Sequence, residues 1–245
     1  MWSSGHDRDR ATHGDAVAPG RYEGGVIRYD QRDRGFAVGL AALAGYVDAT
    51  GFLATGGFFL SFMSGNSTRM SVGLATSSPQ AMLAAGLIVA FVAGVTAGSL
   101  LGRFAGLHRR AVVLAAMALT LAVAAMLGQS GPLWAAALVT TFAMGAENTV
   151  FEVEGEVALG LTYMTGTLVR LGQRIAAACT GGPRWDWLPH LYLWTGLVIG
   201  ASAGAIGYRW VGIGGLWIAS AGASGMCLWL ALAGDRNVVE VATDG

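Results

Sequence analysis

Apolar stretches long enough to cross a membrane recur along this chain of 245 residues. A hydrocarbon core about 30 Å thick is crossed by roughly 20 helical residues. Six stretches approach that length with almost no charge: residues 36–56, 80–103, 111–128, 133–151, 191–209 and 211–234. The pattern predicts an all-α integral membrane protein with six full transmembrane helices.

Two further apolar stretches, residues 58–77 and 157–179, are nearly as long but carry polar residues at their centres. Irregular backbone survives inside a bilayer only where protein or a water-filled cavity surrounds it. These two stretches are therefore predicted to be broken or re-entrant helical segments.

The two polar stretches share a motif that occurs about a hundred residues apart. It is FMSGNSTR at residues 62–69 and YMTGTLVR at residues 163–170. The flanking sequences also match, GYVDATGF with GAENTVF and GVTAGSLLGR with GASAGAIGYR. Self-similarity at a fixed distance indicates an internal repeat, so we predict membrane repeats over residues 36–128 and 133–234.

The distribution of charge predicts the orientation of the repeats. Only 12% of the residues are charged, and many lie in residues 1–35, which are predicted to be a disordered cytoplasmic tail, with a second tail at 235–245. Cytoplasmic loops are enriched in arginine and lysine. The basic loop at 103–110 lies inside only if segment 58–77 does not cross completely. We prefer this interpretation, which gives each repeat three crossings and makes the two repeats inverted in topology.

The repeated motif has the composition of a small-anion site. In the first repeat, SGNS predicts a turn, and a short helix is expected to begin near Ser67. Thr165 and Gly166 correspond to it in the second repeat. Helix N-termini concentrate positive partial charge and free N–H groups, and inverted-repeat transporters use opposed half-helices in this way. The predicted solute-binding residues are Ser64, Gly65, Asn66, Ser67, Arg69, Thr165, Gly166, Thr167 and Arg170.

Helix packing is the alternative explanation for small and polar residues in a membrane. For the four-residue glycine spacing, at Gly94 and Gly98 and again at Gly200 and Gly204, packing is favoured. For the motif, function is favoured, because an arginine at the bilayer centre costs at least roughly 2.5 to 3.5 kcal/mol and packing alone would not require it twice. Arg69 could instead extend to an interface.

Two carboxylates, Asp48 and Glu147, end corresponding apolar stretches. Acidic residues within a membrane indicate function by default. They either carry a coupling proton or pair with Arg69 and Arg170, and both interpretations stay open.

Residue patterns typical of enzymes are missing from the sequence. The four histidines have no serine, cysteine or second ligand at a recognisable spacing, and no phosphate-binding loop occurs. We therefore expect no catalytic residues, no metal, no cofactor and no nucleic-acid partner. The expected partners are the lipid bilayer and a small solute, and a homodimer is compatible with the sequence.

The sequences GYVDATGFLATGGFF with MSGNSTRMSVGLA, and MGAENTVF with YMTGTLVRLGQRIA, resemble the YoaK-like family of bacterial multi-pass membrane proteins. This family corresponds to domain of unknown function 1275. The resemblance covers about residues 36–233, and Ser64 stands where the family often has threonine. It implies an integral protein of the bacterial inner membrane, without an established substrate.

These observations predict a secondary transporter of a small solute, with an anion favoured, bound between opposed half-helices. The N-terminus is expected to be cytoplasmic. The alternative, from another class, is a non-transporting membrane scaffold or partner subunit whose repeated motif serves helix packing.

Overall fold

The computed structural model describes residues 31–153, 156–157 and 163–233, which form eight α-helices. Short 3-10 helices occur at Gly106–His108 and Gly212–Gly214, and a two-residue antiparallel pairing joins β1, Glu152–Val153, to β2, Glu156–Val157. Residues 31–35 of the predicted disordered tail 1–35 form the first residues of a helix instead. The rest of that tail, residues 1–30, and the second tail, 235–245, lie outside the described residues. The helices are α1 Gln31–Thr55, α2 Met63–Ala75, α3 Gln80–Ala105, α4 Arg109–Ser130, α5 Leu133–Glu147, α6 Met164–Cys179, α7 Leu188–Val211 and α8 Gly215–Ala233.

The predicted all-α membrane class is confirmed, with differences at individual helix ends. Three stretches of consecutive helical residues are long and apolar enough to cross a membrane, Arg32–Thr55, Gln80–Ser130 and Leu188–Ala233. The second and third each contain two helices, which turn at glycines with positive φ, Gly106 at 54° and Gly212 at 55°.

The prediction that residues 133–151 form a full span is wrong. Helix α5 has 15 residues and is about 22 Å long, which is short of a hydrocarbon core. Residues 148–151 form a turn instead, in which the Val150 amide donates to the Glu147 carbonyl at 3.1 Å. The apolar residues of this turn extend the hydropathy pattern beyond the helix.

Helices α1 and α7 pack closely through glycines, as the four-residue spacing predicts. Three glycines of α7 face backbone carbonyls of α1 in the same order along both helices, so the two helices run parallel. A side chain at any of the three would press into the opposite backbone. The pairs are Gly196 with Val38, Gly200 with Ala42 and Gly204 with Tyr46.

Helices α3 and α5 form a second parallel pair of the same kind. Gly94 faces the backbone of Phe142, and Gly98 faces Ala146 one turn further along both helices. The packing role predicted for these glycines is confirmed. Their partners are helices distant in sequence.

Helices α4 and α8 run antiparallel. Ser220 donates a hydrogen bond to the Ala118 carbonyl at 2.7 Å, and the Cys227 thiol donates to the Ala111 carbonyl at 3.2 Å. The order of contacts therefore reverses between the two helices. Fully buried apolar side chains fill the core around α4, including Leu114, Met117, Leu121 and Leu216.

An ion pair identifies helix ends that share one face of the molecule. Arg110, at the start of α4, donates to Asp33, at the start of α1, at 2.8 Å. Its guanidinium also lies 5.1 Å from the ring centre of Phe36 and 4.8 Å from that of Phe151. The α3–α4 junction therefore lies on the same face as the start of α1. The end of α1 and the start of α3, which the segment containing the 13-residue α2 connects, lie toward the opposite face.

This arrangement predicts a labelling pattern for single cysteines introduced after Cys179 and Cys227 are replaced. A membrane-impermeant thiol reagent should reach Gly35→Cys and Leu107→Cys from one side and Gln80→Cys from the other. All three positions are exposed. If α2 crossed the membrane completely, Leu107→Cys would be labelled from the side opposite to Gly35→Cys, and that result would contradict the arrangement.

Candidate functional site

The two motif helices begin earlier than the sequence predicted. Helix α2 begins at Met63, four residues before Ser67, so the predicted turn at residues 64–67 is wrong: these residues form the first helical turn. Helix α6 begins at Met164. Neither preceding residue, Phe62 or Tyr163, provides a side-chain cap. The first N–H groups of a helix have no acceptor within it, and no acceptor for them is found among the described residues, from which 158–162 ahead of α6 are missing.

Asn66 explains why the chain can break before α2. Its side chain is fully buried and hydrogen-bonds to both backbone groups of Phe59. The Phe59 amide donates to Oδ1 at 3.1 Å, and Nδ2 donates to the Phe59 carbonyl at 2.7 Å. Asn66 thus takes the place of a backbone partner for the non-helical residues ahead of α2, and it is not an N-cap.

Asp48 of α1 holds the other end of the same non-helical segment. Its Oδ1 accepts hydrogen bonds from the amides of Leu60 and Ser61, both at 2.7 Å. Its Oδ2 accepts from the Ser61 hydroxyl at 2.6 Å. One interpretation of the sequence paired Asp48 with Arg69. In the structure, two backbone amides and one hydroxyl donate to the Asp48 carboxylate instead, and these bonds satisfy amides in the membrane-embedded part of the chain.

The N-terminal turns of α2 and α6 border one cavity of about 370 Å³. Ser64 contributes from α2, and Thr165 and Gly166 contribute from α6. The other five lining residues were not predicted from the sequence. These residues are Ser61, Phe62, Met63, Phe91 and Tyr163. Phe62 and Tyr163 occupy the aromatic position of the repeated motif, which could have identified them, whereas no sequence pattern marks Phe91.

The cavity lies near the middle of the molecule's height. Phe91 follows the first residue of α3 by 11 positions and precedes the last by 14, which is about 17 and 21 Å of helix. A membrane crossed by α3 would therefore have the cavity close to its midplane. Two helix N-termini at that depth provide positive partial charge on both sides of the cavity.

Arg69 does not line the cavity. Its guanidinium lies 5.0 Å from the ring centre of Phe58 and 6.0 Å from that of Phe52. It also covers Gly57, whose φ of +113° and lack of a side chain leave room for it. The charge is thus stabilised by aromatic faces.

The other predicted residues are also separated from the cavity lining. Ser67 and Thr167 donate to carbonyls of their own helices, at 2.9 Å to Met63 and at 3.4 Å to Tyr163. Gly65 lies against the Phe59 ring, and Arg170 is exposed on α6. Of the nine predicted binding residues, Ser64, Thr165 and Gly166 meet at one cavity.

Glu147, the last residue of α5, is fully buried. Neither of its carboxylate oxygens has a hydrogen-bond partner among the described residues, and Asp48 lies within electrostatic range. Pairing of Glu147 with Arg170, one of the two interpretations left open by the sequence, is not observed among the described residues. Two other arginines pair with other acids: Arg109 with Glu152 at 2.6 Å, and Arg110 with Asp33.

Long apolar helices, together with the shorter helices α2 and α6 that begin at mid-depth, define a multi-pass α-helical membrane protein. The chain belongs to the family described as "protein of unknown function (DUF1275)", whose model matches residues 36–229. It is similar to the UPF0700 transmembrane protein RA0705 of Rhizobium meliloti (strain 1021), with 38% identity over 184 residues, which cover 74% of this chain and 78% of the relative. No solved structure matches the chain significantly.

Proposed function

We propose that the protein is a secondary transporter of a small solute, with an anion favoured, bound in the cavity between the N-terminal turns of α2 and α6. The observation that carries this proposal is that both uncapped N-termini border the same cavity at mid-depth. Free N–H groups and helix dipoles stabilise negative charge. Transporters with broken helices bind anionic groups at such a position.

Matching contacts in the two halves support an inverted repeat over residues 36–128 and 133–234. Positions of α1 and α5 correspond with a shift of 100 residues, and positions of α3 and α7 with a shift of 106. Gly45 faces the Leu197 carbonyl as Gly145 faces that of Phe91. In the reverse direction, Gly94 and Phe142 correspond to Gly200 and Ala42.

Helix directions support the inversion as well. If α1 runs away from one face of the molecule, the contacts described above make α3 run toward that face and α4 run away from it again. By the same contacts α5 returns, α7 leaves and α8 returns. The two halves therefore have opposite directions, which is the geometry that lets a carrier expose one central site alternately to the two sides.

We assign the face that contains the start of α1 and the loop at 103–110 to the cytoplasm. This loop contains Arg103, Arg109 and Arg110, and cytoplasmic loops are enriched in such residues. The relative of 38% identity is bacterial, which supports the inner membrane as the location.

Of the two coupling candidates, Glu147 is the stronger. The Asp48 carboxylate accepts three hydrogen bonds that hold residues 60–61, so its role in the structure is to position the break. Glu147 has no partner for either oxygen among the described residues. Ser61 joins the cavity to Asp48, which lies within electrostatic range of Glu147.

A thermal-shift screen of purified protein tests the proposal. At equal ionic strength, at least one small anion should raise the Tm by on the order of 5 to 10 °C when its concentration is about 100 times its Kd. Thr165→Val keeps the side-chain volume and removes the hydroxyl, so the same anion should stabilise that variant less.

Thr120→Val is the matched control, because the Thr120 hydroxyl donates only to the Ala116 carbonyl of its own helix at 2.7 Å. It should respond to the anion as the wild type does. If no small anion changes the Tm, or if Thr165→Val responds fully, the anion site is wrong. The first of these outcomes favours the non-transporting scaffold.

A further inference from the structure

Helix α6 places an arginine on the face that packs toward α7. Its half-buried positions include Thr167, Leu171, Arg174 and Ala178, which recur with the spacing of one helical face. The α6 residues outside this face are mostly exposed, and α7 is the helix on which α6 mainly packs. Arg174 therefore lies at the α6–α7 boundary, and Arg170 lies one turn before it.

His190 is the third residue of α7, the helix on which α6 packs. It is 2% exposed, and its Nδ1 atom has no hydrogen-bond partner among the described residues. Arg170 and Arg174 both lie within electrostatic range of it. The three side chains thus lie on the two helices that pack together, and one of them, His190, has an unused buried polar atom.

This cluster has no acidic partner in the part of the chain that the structure describes. Asp186, the acid nearest in sequence, makes no ion pair with Arg170 or Arg174 there. The ion pairs at the same face are Arg109 with Glu152 and Arg110 with Asp33. No described acid therefore neutralises either guanidinium, and both are available to an anion from outside the described part of the chain.

The depth of the cluster indicates where that anion comes from. Arg170 and Arg174 follow the first residue of α6 by 6 and 10 positions, which is about 9 and 15 Å of helix. That first residue lies near the mid-depth cavity, and half a hydrocarbon core is about 15 Å thick. Arg174 therefore reaches the headgroup level. Arg170 lies deeper, and its long side chain can extend to the same level.

We propose that Arg170 and Arg174, with His190 beneath them, bind the phosphate group of an anionic phospholipid in the leaflet where α1 and α7 begin. Guanidinium groups bind phosphate oxygens through paired hydrogen bonds, and basic sites between transmembrane helices bind such headgroups. A lipid is the favoured source of the phosphate because the exposed side of α6 carries the apolar residues Leu168, Val169 and Ile175, as a lipid-facing helix does. The lipid site gives Arg170 a role outside the proposed solute site, and it does not depend on the proposed transport.

The corresponding part of the first repeat does not have these features. Arg69 is covered by the rings of Phe52 and Phe58, and the position four residues after it is Gly73. The lipid site is therefore confined to the second half of the molecule, and Arg69→Gln is a control that removes the matching arginine of the other half.

The test compares the full-length wild type with the double variant Arg170→Gln/Arg174→Gln. Native mass spectrometry of protein released from nanodiscs counts retained phosphatidylglycerol, and a Tm titration measures its apparent affinity against phosphatidylcholine. We expect the double variant to bind phosphatidylglycerol at least tenfold more weakly, with unchanged binding of phosphatidylcholine. Arg69→Gln and Arg184→Gln, which changes an exposed arginine of the α6–α7 loop, should bind like the wild type.

Arg170→Lys/Arg174→Lys keeps the charge and loses the paired hydrogen bonds, so its affinity for phosphatidylglycerol should be intermediate. If the glutamine variant does not fold, the lysine variant is compared with the wild type instead. Inorganic phosphate is titrated separately. Equal retention of phosphatidylglycerol by wild type and double variant would overturn the site. Stabilisation by inorganic phosphate that is lost in the same variant would overturn the lipid as its source.

Discussion

Gly200→Ala is expected to lower the free energy of unfolding by about 1 to 3 kcal/mol or more, although alanine is the better helix former. The added Cβ would overlap the carbonyl oxygen, carbonyl carbon and Cα of Ala42. These are backbone atoms, which cannot rotate away as a side chain can. Relief requires α1 and α7 to separate, and that would also disturb the contacts of Gly196 and Gly204.

Gly225→Ala is the matched control for this prediction. Gly225 lies in α8, is exposed, and has no atom within 4 Å of the position that an added Cβ would take. Its Tm in detergent should equal or slightly exceed that of the wild type, while Gly200→Ala should show a lower Tm and less monodisperse protein. Equal Tm values for the two variants would contradict the close parallel packing of α1 and α7.

Helix positions followed from hydropathy because six apolar stretches are separated by glycine, proline or charged residues. Glycine spacing also indicated which faces pack closely. It did not indicate the partners, since α1 packs on α7 and α3 on α5 across long stretches of sequence. Periodicity describes one helix at a time, and the choice of partner depends on the whole bundle.

The break before α2 shows why local sequence rules failed at the motif. Asn66 is a preferred cap residue, which suggested a helix beginning after it. In the structure its amide bonds to Phe59, seven residues earlier, and the helix begins at Met63. A tertiary hydrogen bond replaced the local cap, and no propensity contains that information.

The two motif arginines could not be assigned to a site from sequence for a related reason. Arg69 and Arg170 occupy matching positions, but one is covered by aromatic rings and the other is exposed beside Arg174 and His190. The cost of burying a charge predicted that each needs a partner. It did not predict whether the partner is a solute, a ring or a lipid.

Gly166→Leu is expected to abolish binding and transport of the solute without unfolding the protein. Gly166 lines the cavity, and no atom lies within 4 Å of the position of an added Cβ. A leucine therefore fits without overlap at its first carbon and fills space that the solute requires. Leucine also favours a helix more than glycine does by somewhat under 1 kcal/mol, so the N-terminal turn of α6 is retained.

The most direct test is the flux of the stabilising anion into proteoliposomes that contain wild type, Gly166→Leu or Gly172→Leu. Gly172 is on the same helix, is exposed, and also has no atom within 4 Å of an added Cβ, but it does not line the cavity. Wild type and Gly172→Leu should transport at equal rates, and Gly166→Leu should match empty liposomes. Transport at the wild-type rate by correctly inserted Gly166→Leu would contradict the cavity between α2 and α6 as the solute site.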